Sequence, residues 1–106
     1  MSDPIQVFMT IDDREVARKI AGAVLEKRLA ACVQILGPIE SHYWWEGVIE
    51  EAKEWLCIMK STKDLYGKLE ETIRSIHPYE VAEILASPVA AGNPDYLNWL
   101  DREVRR

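Results

Sequence analysis

The segment between Ala30 and Thr62 constrains the fold of this chain more than any other. Two long strand-like runs, Ala30–Tyr43 and Val48–Thr62, are separated by Trp45-Glu46-Gly47. Gly47 can adopt the positive φ that a tight reversal requires. Gly37-Pro38 interrupts the first run, which indicates a bend or a bulge in that strand. The two runs therefore predict one long, kinked β-hairpin.

This hairpin is too long for a compact monomer. An arm of about 15 residues extends roughly 50 Å at 3.3 Å per residue, whereas a domain of this length has a diameter of roughly 35 Å. The arm also carries Tyr43, Trp44, Trp45 and Trp55. Because exposed strand edges and aromatic patches are normally covered, the sequence predicts a closed homo-oligomer.

The first 30 residues predict a strand followed by a helix. Apolar residues alternate with period two from Ile5 to Ile11. Asp12 and Glu15 then have the spacing of a capping box, and apolar residues recur on one face of a helix that runs to about Leu29.

The remaining residues predict two more helices and one more strand. Ser61 and Asp64 are candidate caps for a second helix that Pro78 ends. A fourth strand follows over Val81–Val89, and Asn93-Pro94-Asp95 begins a last helix that reaches Val104. With 106 residues, the chain is expected to form one domain, 1–106, of class α+β: a ferredoxin-like β-α-β-β-α-β sandwich with an extra C-terminal helix.

Charge and composition exclude several function classes. The net charge of −5 argues against nucleic acid, and the cluster Arg102, Arg105 and Arg106 complements the dipole at the end of the last helix. No apolar run is long enough to span a bilayer, and the first residues lack a signal-peptide pattern. We therefore expect no membrane association, a cytoplasmic location, and reduced core thiols at Cys32 and Cys57.

Motifs of self-sufficient enzymes are missing from the sequence. No nucleophile stands in a recognisable pattern with a base, no glycine-rich phosphate loop follows the first strand, and no H-E-x-x-H or C-x-x-C motif occurs. We expect no enzymatic activity and no organic cofactor.

Five strings carry a resemblance to a known family. In order and spacing they closely resemble the CutA family of divalent-cation tolerance proteins over nearly the whole chain: Glu26-Lys27-Arg28-Leu29-Ala30-Ala31-Cys32-Val33, Tyr43-Trp44-Trp45-Glu46-Gly47, Lys60-Ser61-Thr62, His77-Pro78-Tyr79-Glu80 and Tyr96-Leu97-Asn98-Trp99-Leu100. The resemblance implies a homotrimer whose hairpins pair between subunits, an assembly like that of the PII signalling trimers, and a link to tolerance of metal ions, copper above all.

Three residues are candidate metal ligands. His77 leads, because imidazole suits copper and zinc; the alternative role for His77 is a hydrogen bond at the helix end that locks the Pro-Tyr-Glu turn. The family's proposed copper site has a cysteine late in the first strand and histidines before the Pro-Tyr pair; here Met9 stands in the cysteine's place and Ile76 precedes His77. Cys32 is a further candidate, as a soft thiolate.

The aromatic residues suggest interfaces or clefts. The resemblance implies that four residues lie together along a cleft or subunit boundary: Tyr79, Glu80, Tyr96 and Trp99. It also implies that the aromatic residues of the hairpin lie between subunits: Tyr43, Trp44, Trp45 and Trp55.

Three functions remain open: a trimer that binds copper or another divalent cation, a PII-like regulatory trimer that holds a small ligand or an unidentified protein partner at inter-subunit clefts, and a stable scaffold.

Overall fold

The computed structural model describes residues 2–104 and gives the predicted order of elements. A single 3-10 turn, Lys63–Leu65, precedes the second helix. The strands and helices are β1 Pro4–Ile11, α1 Arg14–Glu26, β2 Cys32–Trp45, β3 Val48–Thr62, α2 Tyr66–Ile76, β4 Ile84–Pro88 and α3 Pro94–Glu103. Among the described residues, no helix is long and apolar enough to cross a membrane.

The four strands form one antiparallel sheet in the order β2-β3-β1-β4. The odd-numbered residues of β1, with Cys57 and Met59 of β3, face α1 and α2, and together they form the hydrophobic core. Val7, Met9 and Ile11 are fully buried there, beside Cys57 and Met59. The predicted α+β class is therefore confirmed, with two helices covering one face of the sheet.

The boundaries of α1 differ from the prediction at both ends. Its N-cap is Asp13, not Asp12: the Oδ1 atom of Asp13 accepts hydrogen bonds from the backbone amides of Glu15 at 2.9 Å and Val16 at 3.3 Å. The helix ends at Glu26 rather than near Leu29, because Arg28 has a φ of 59°. A left-handed residue of this kind cannot continue a right-handed helix.

The caps predicted for α2 are wrong. The helix follows directly on the 3-10 turn, and its N-cap is Leu65, whose side chain has no acceptor. The hydroxyl of Ser61 instead donates to the carbonyl of Leu29 at 2.6 Å in the protein interior. Ser61 thus ties the end of β3 to the loop after α1.

The hairpin of β2 and β3 is the longest feature of the molecule, whose principal extents are 44 × 25 × 21 Å. Its turn is made by Glu46 and Gly47, with φ values of 49° and 83°, as a two-residue hairpin turn requires. The predicted bulge at Gly37-Pro38 is confirmed, since the pairing register shifts between Leu36 and Ile39.

The fourth strand is shorter than the predicted Val81–Val89. It pairs only with β1, from Ile5 to Met9, and the residues before Ile84 leave the sheet. In α3, Asn93 is the N-cap as predicted and Pro94 is the first helical residue. Arg102 lies in its last turn, whereas Arg105 and Arg106 lie outside the described residues.

The two cysteines have different environments. Cys57 is fully buried in the core, and burial raises its pKa to about 11. Cys32 is only half-buried at the start of β2, so the prediction that both thiols are core residues holds for Cys57 alone.

Candidate functional site

A broad cleft of about 730 Å³ lies where the hairpin leaves the body of the protein. One wall is the hairpin beyond the bulge, and the other is formed by residues 79–83 of the irregular segment after α2, residues 77–83. We call it the acidic cleft because five carboxylates line it: Asp12, Glu50, Glu54, Glu80 and Glu83. Among the described residues, no Lys or Arg lines it.

The bulge decides which hairpin residues face this cleft. Before the bulge, Ile35 pairs with Cys57, which is in the core. After it, Ile39 pairs with Glu54 and Tyr43 with Glu50, which belong to the opposite face of the sheet. The register shift therefore turns the odd-numbered residues of β2 from the core toward the acidic cleft.

A buried carboxylate forms part of the cleft floor. Glu54 is only 5% exposed, and its Oε2 atom accepts a hydrogen bond of 2.8 Å from the hydroxyl of Tyr79. Burial and then the neighbouring Glu54 carboxylate raise the pKa of Tyr79 well above its ordinary value, with smaller contributions from Asp12 and Tyr43. Tyr79 therefore remains a protonated donor throughout the neutral range.

His77 positions Tyr79 and the segment that follows α2. Its Nε2 atom lies 2.8 Å from the backbone carbonyl of Thr10, and its Nδ1 atom lies 3.2 Å from the backbone nitrogen of Tyr79. A carbonyl only accepts and an amide only donates, so Nε2 carries the proton and Nδ1 accepts. The Tyr79 ring adds an edge contact, with ring centroids 4.6 Å apart.

Thr10 closes this network on the other side. Its hydroxyl donates to Oε1 of Glu83 at 3.4 Å, so both ends of the 77–83 segment are tied to the last residues of β1. These hydrogen bonds thus hold a segment without regular secondary structure against the end of β1.

The three predicted metal ligands do not meet within the subunit. Met9 is fully buried in the core. Cys32 pairs with Lys60, and alternation places it on the sheet face opposite Met9. His77 uses both ring nitrogens in hydrogen bonds. Within residues 2–104, no three His, Cys, Asp or Glu side chains are arranged to hold a metal ion.

The predicted cleft residues separate into two groups. Tyr43, Trp44, Trp45, Tyr79 and Glu80 line the acidic cleft. Tyr96 and Trp99 instead contact each other on α3, with tilted rings whose centroids are 5.4 Å apart, and Trp99 lines a smaller cleft of about 340 Å³. Within one subunit the two groups therefore do not share a cleft, and their grouping along a subunit boundary stays a prediction.

Trp55 has a structural position at the bulge. A Cβ atom on Gly37 would lie 2.5 Å from its Cδ1 atom, so glycine is needed for this close approach. The Nζ atom of Lys53 lies 5.7 Å from the ring centroid, within the range of a cation–π contact.

Thr10, Asp12, Glu54 and Glu83 line the cleft but were not predicted from the sequence as cleft residues. The burial of Glu54 depends on residues distant in sequence, such as Tyr79, and no local pattern signals it.

Comparison with known proteins agrees with this architecture. The family model described as CutA1 divalent ion tolerance protein matches residues 5–103. The mouse protein CutA is 52% identical over 88% of this chain, which spans 52% of that protein's length. The divalent-cation tolerance protein CutA of Thermus thermophilus is 47% identical over 89% of this chain and 91% of its own length.

Solved structures show the same fold. The divalent cation tolerance protein of Thermus thermophilus superimposes with a TM-score of 0.94 at 43% identity, covering 96% of this chain and 99% of that one. The CutA1 structure from Oryza sativa gives a TM-score of 0.95 at 38% identity. With the family model matching nearly its whole length, this chain belongs to the CutA1 divalent ion tolerance family.

Proposed function

We propose that this protein is a homotrimeric divalent-cation tolerance protein that binds cations in the acidic cleft. The observation that carries the proposal is the convergence of five carboxylates on one cleft in a chain that belongs to the CutA1 family. Carboxylate oxygens suit hard divalent cations, and a cleft lined by one sign of charge raises the local concentration of counter-ions.

A soft copper site built from His77, Met9 and Cys32 does not fit the subunit. Coordination by His77 would break a hydrogen bond to Thr10 or Tyr79, and Met9 is inaccessible behind the helices. Since the described carboxylates of one subunit form no preformed coordination site, copper or another divalent ion is proposed to be attracted by the charge of the cleft carboxylates, Glu54 and Glu83 among them.

The trimer is proposed from the surface that one subunit leaves uncovered. The face of the sheet opposite α1 and α2 exposes Leu36 at 45% and Leu85 at 60%, and the hairpin exposes Trp44 at 71% and Ile49 at 63%. Apolar surface of this extent on a long hairpin is normally buried by association. We propose a ferredoxin-like subunit whose hairpin pairs with those of two further copies.

Calorimetric titration of the metal-free, reduced protein with Cu(II), Cu(I) and Zn(II) tests the cation site. We expect saturable binding of Cu(II) and Zn(II) that Glu54→Gln or Glu83→Gln weakens and that His77→Ala leaves intact. If a folded His77→Ala protein lost metal binding and the Glu54→Gln and Glu83→Gln variants kept it, His77 would be the metal ligand and the proposed cleft site would be wrong. Native mass spectrometry of the same samples tests the trimer.

The regulatory alternative has less support. The hairpin reverses through only Glu46 and Gly47, and this tight turn does not provide the exposed mobile loop on which PII-like trimers rely. The cytoplasmic location and the lack of enzymatic activity stay predictions from the sequence.

A further inference from the structure

We draw no further inference here: the strongest candidate, the smaller cleft between the end of α1 and α3 that Trp99 lines beside the Arg28–Glu103 ion pair, carries nothing because no contact among the described residues shows what would occupy its apolar lining.

Discussion

The hydroxyl of Tyr79 donates a 2.8 Å hydrogen bond to the buried carboxylate of Glu54. This bond joins the segment after α2 to the hairpin across the floor of the acidic cleft. It also places a phenol where its ionised form would face a second negative charge, which is part of the reason that the pKa of Tyr79 is raised.

Replacing Tyr79 by Phe should destabilise the protein by about 1.5–3 kcal/mol, because hydrogen bonds to charged groups contribute in that range and the carboxylate of Glu54 would lose the hydrogen bond from the Tyr79 hydroxyl. Denaturant unfolding at one fixed protein concentration measures the change. Tyr43→Phe is the control, since the Tyr43 hydroxyl forms no hydrogen bond within residues 2–104, and it should change stability by less than about 0.5 kcal/mol. Equal effects of the two variants would contradict the importance of the Tyr79–Glu54 bond.

Replacing His77 by Ala should cost about 2–4 kcal/mol of stability, because the carbonyl of Thr10 and the amide of Tyr79 would both lose a buried partner. His42→Ala, on the exposed hairpin, should cost less than about 1 kcal/mol. Chemical denaturation of both variants gives the comparison. A His77→Ala protein as stable as the wild type would show that the imidazole is not needed to hold this segment.

Adding one methyl group at two glycines should have opposite effects. Gly37→Ala would place a Cβ atom 2.5 Å from Trp55 and should destabilise by about 1–3 kcal/mol through overpacking. Gly22→Ala lies on an exposed part of α1 with no atom within 4 Å and should stabilise by about 0.5–1 kcal/mol. Thermal unfolding of both variants checks the signs, and a neutral Gly37→Ala would mean that the bulge adapts.

Cys57 should react with iodoacetamide far more slowly than Cys32 at pH 8. Burial raises the pKa of Cys57 to about 11, so only about one thiol in a thousand is ionised at that pH, and the side chain is fully enclosed. Peptide mass spectrometry after timed alkylation measures both rates, with Cys32→Ser to isolate Cys57. Comparable rates for the two cysteines would be incompatible with this packing.

The imidazole of His42 should titrate above its ordinary pKa. The hydrogen bond to Glu40 raises the pKa most, burial lowers it, and the charges of Glu51 and Glu40 raise it further. A raised pKa in the folded state means that the ion pairs stabilise the hairpin below the ordinary pKa of about 6.5 and that this contribution is lost as the pH rises through the folded value. NMR titration of the ring protons measures the pKa.

Two variants test the causes of that shift. Glu40→Gln should lower the pKa of His42 more than Glu51→Gln does, because the hydrogen bond to Glu40 is the larger contribution. A His42 pKa that neither variant changes would exclude the two carboxylates as its cause.

The order of the elements and the position of the hairpin turn follow from local sequence. Alternation with period two placed Ile5–Ile11 on a strand, glycine at position 47 supplied the turn, and Asn93 with Pro94 began the last helix, all as the structure shows. The exact ends of the helices do not follow from local sequence, because neighbouring residues offer equivalent caps. Asp12 and Asp13 both suit a helix start, and only the backbone geometry selects Asp13.

The candidate site depended on contacts that the sequence does not encode locally. His77 was recognised as special from its residue type, but its two hydrogen bonds join it to Thr10, 67 positions away, and to the amide of Tyr79. A ligand and a structural histidine have the same sequence signature, and only the occupation of both ring nitrogens distinguishes them in this subunit.

The sequence by itself determined the strands, the helices, the tight turn and the family resemblance, because these depend on periodicity, on caps and on the allowed φ of single residues. Only the tertiary structure decided which face of the hairpin carries the site. The register shift at Gly37-Pro38 reverses the alternation of β2, so Ile39 and Tyr43 pair with Glu54 and Glu50 on the face away from the core. Since the side chains of a strand alternate with a period of two, this one irregularity exchanges the two faces of β2 and places Ile39 and Tyr43 on the face where Glu54 meets Tyr79.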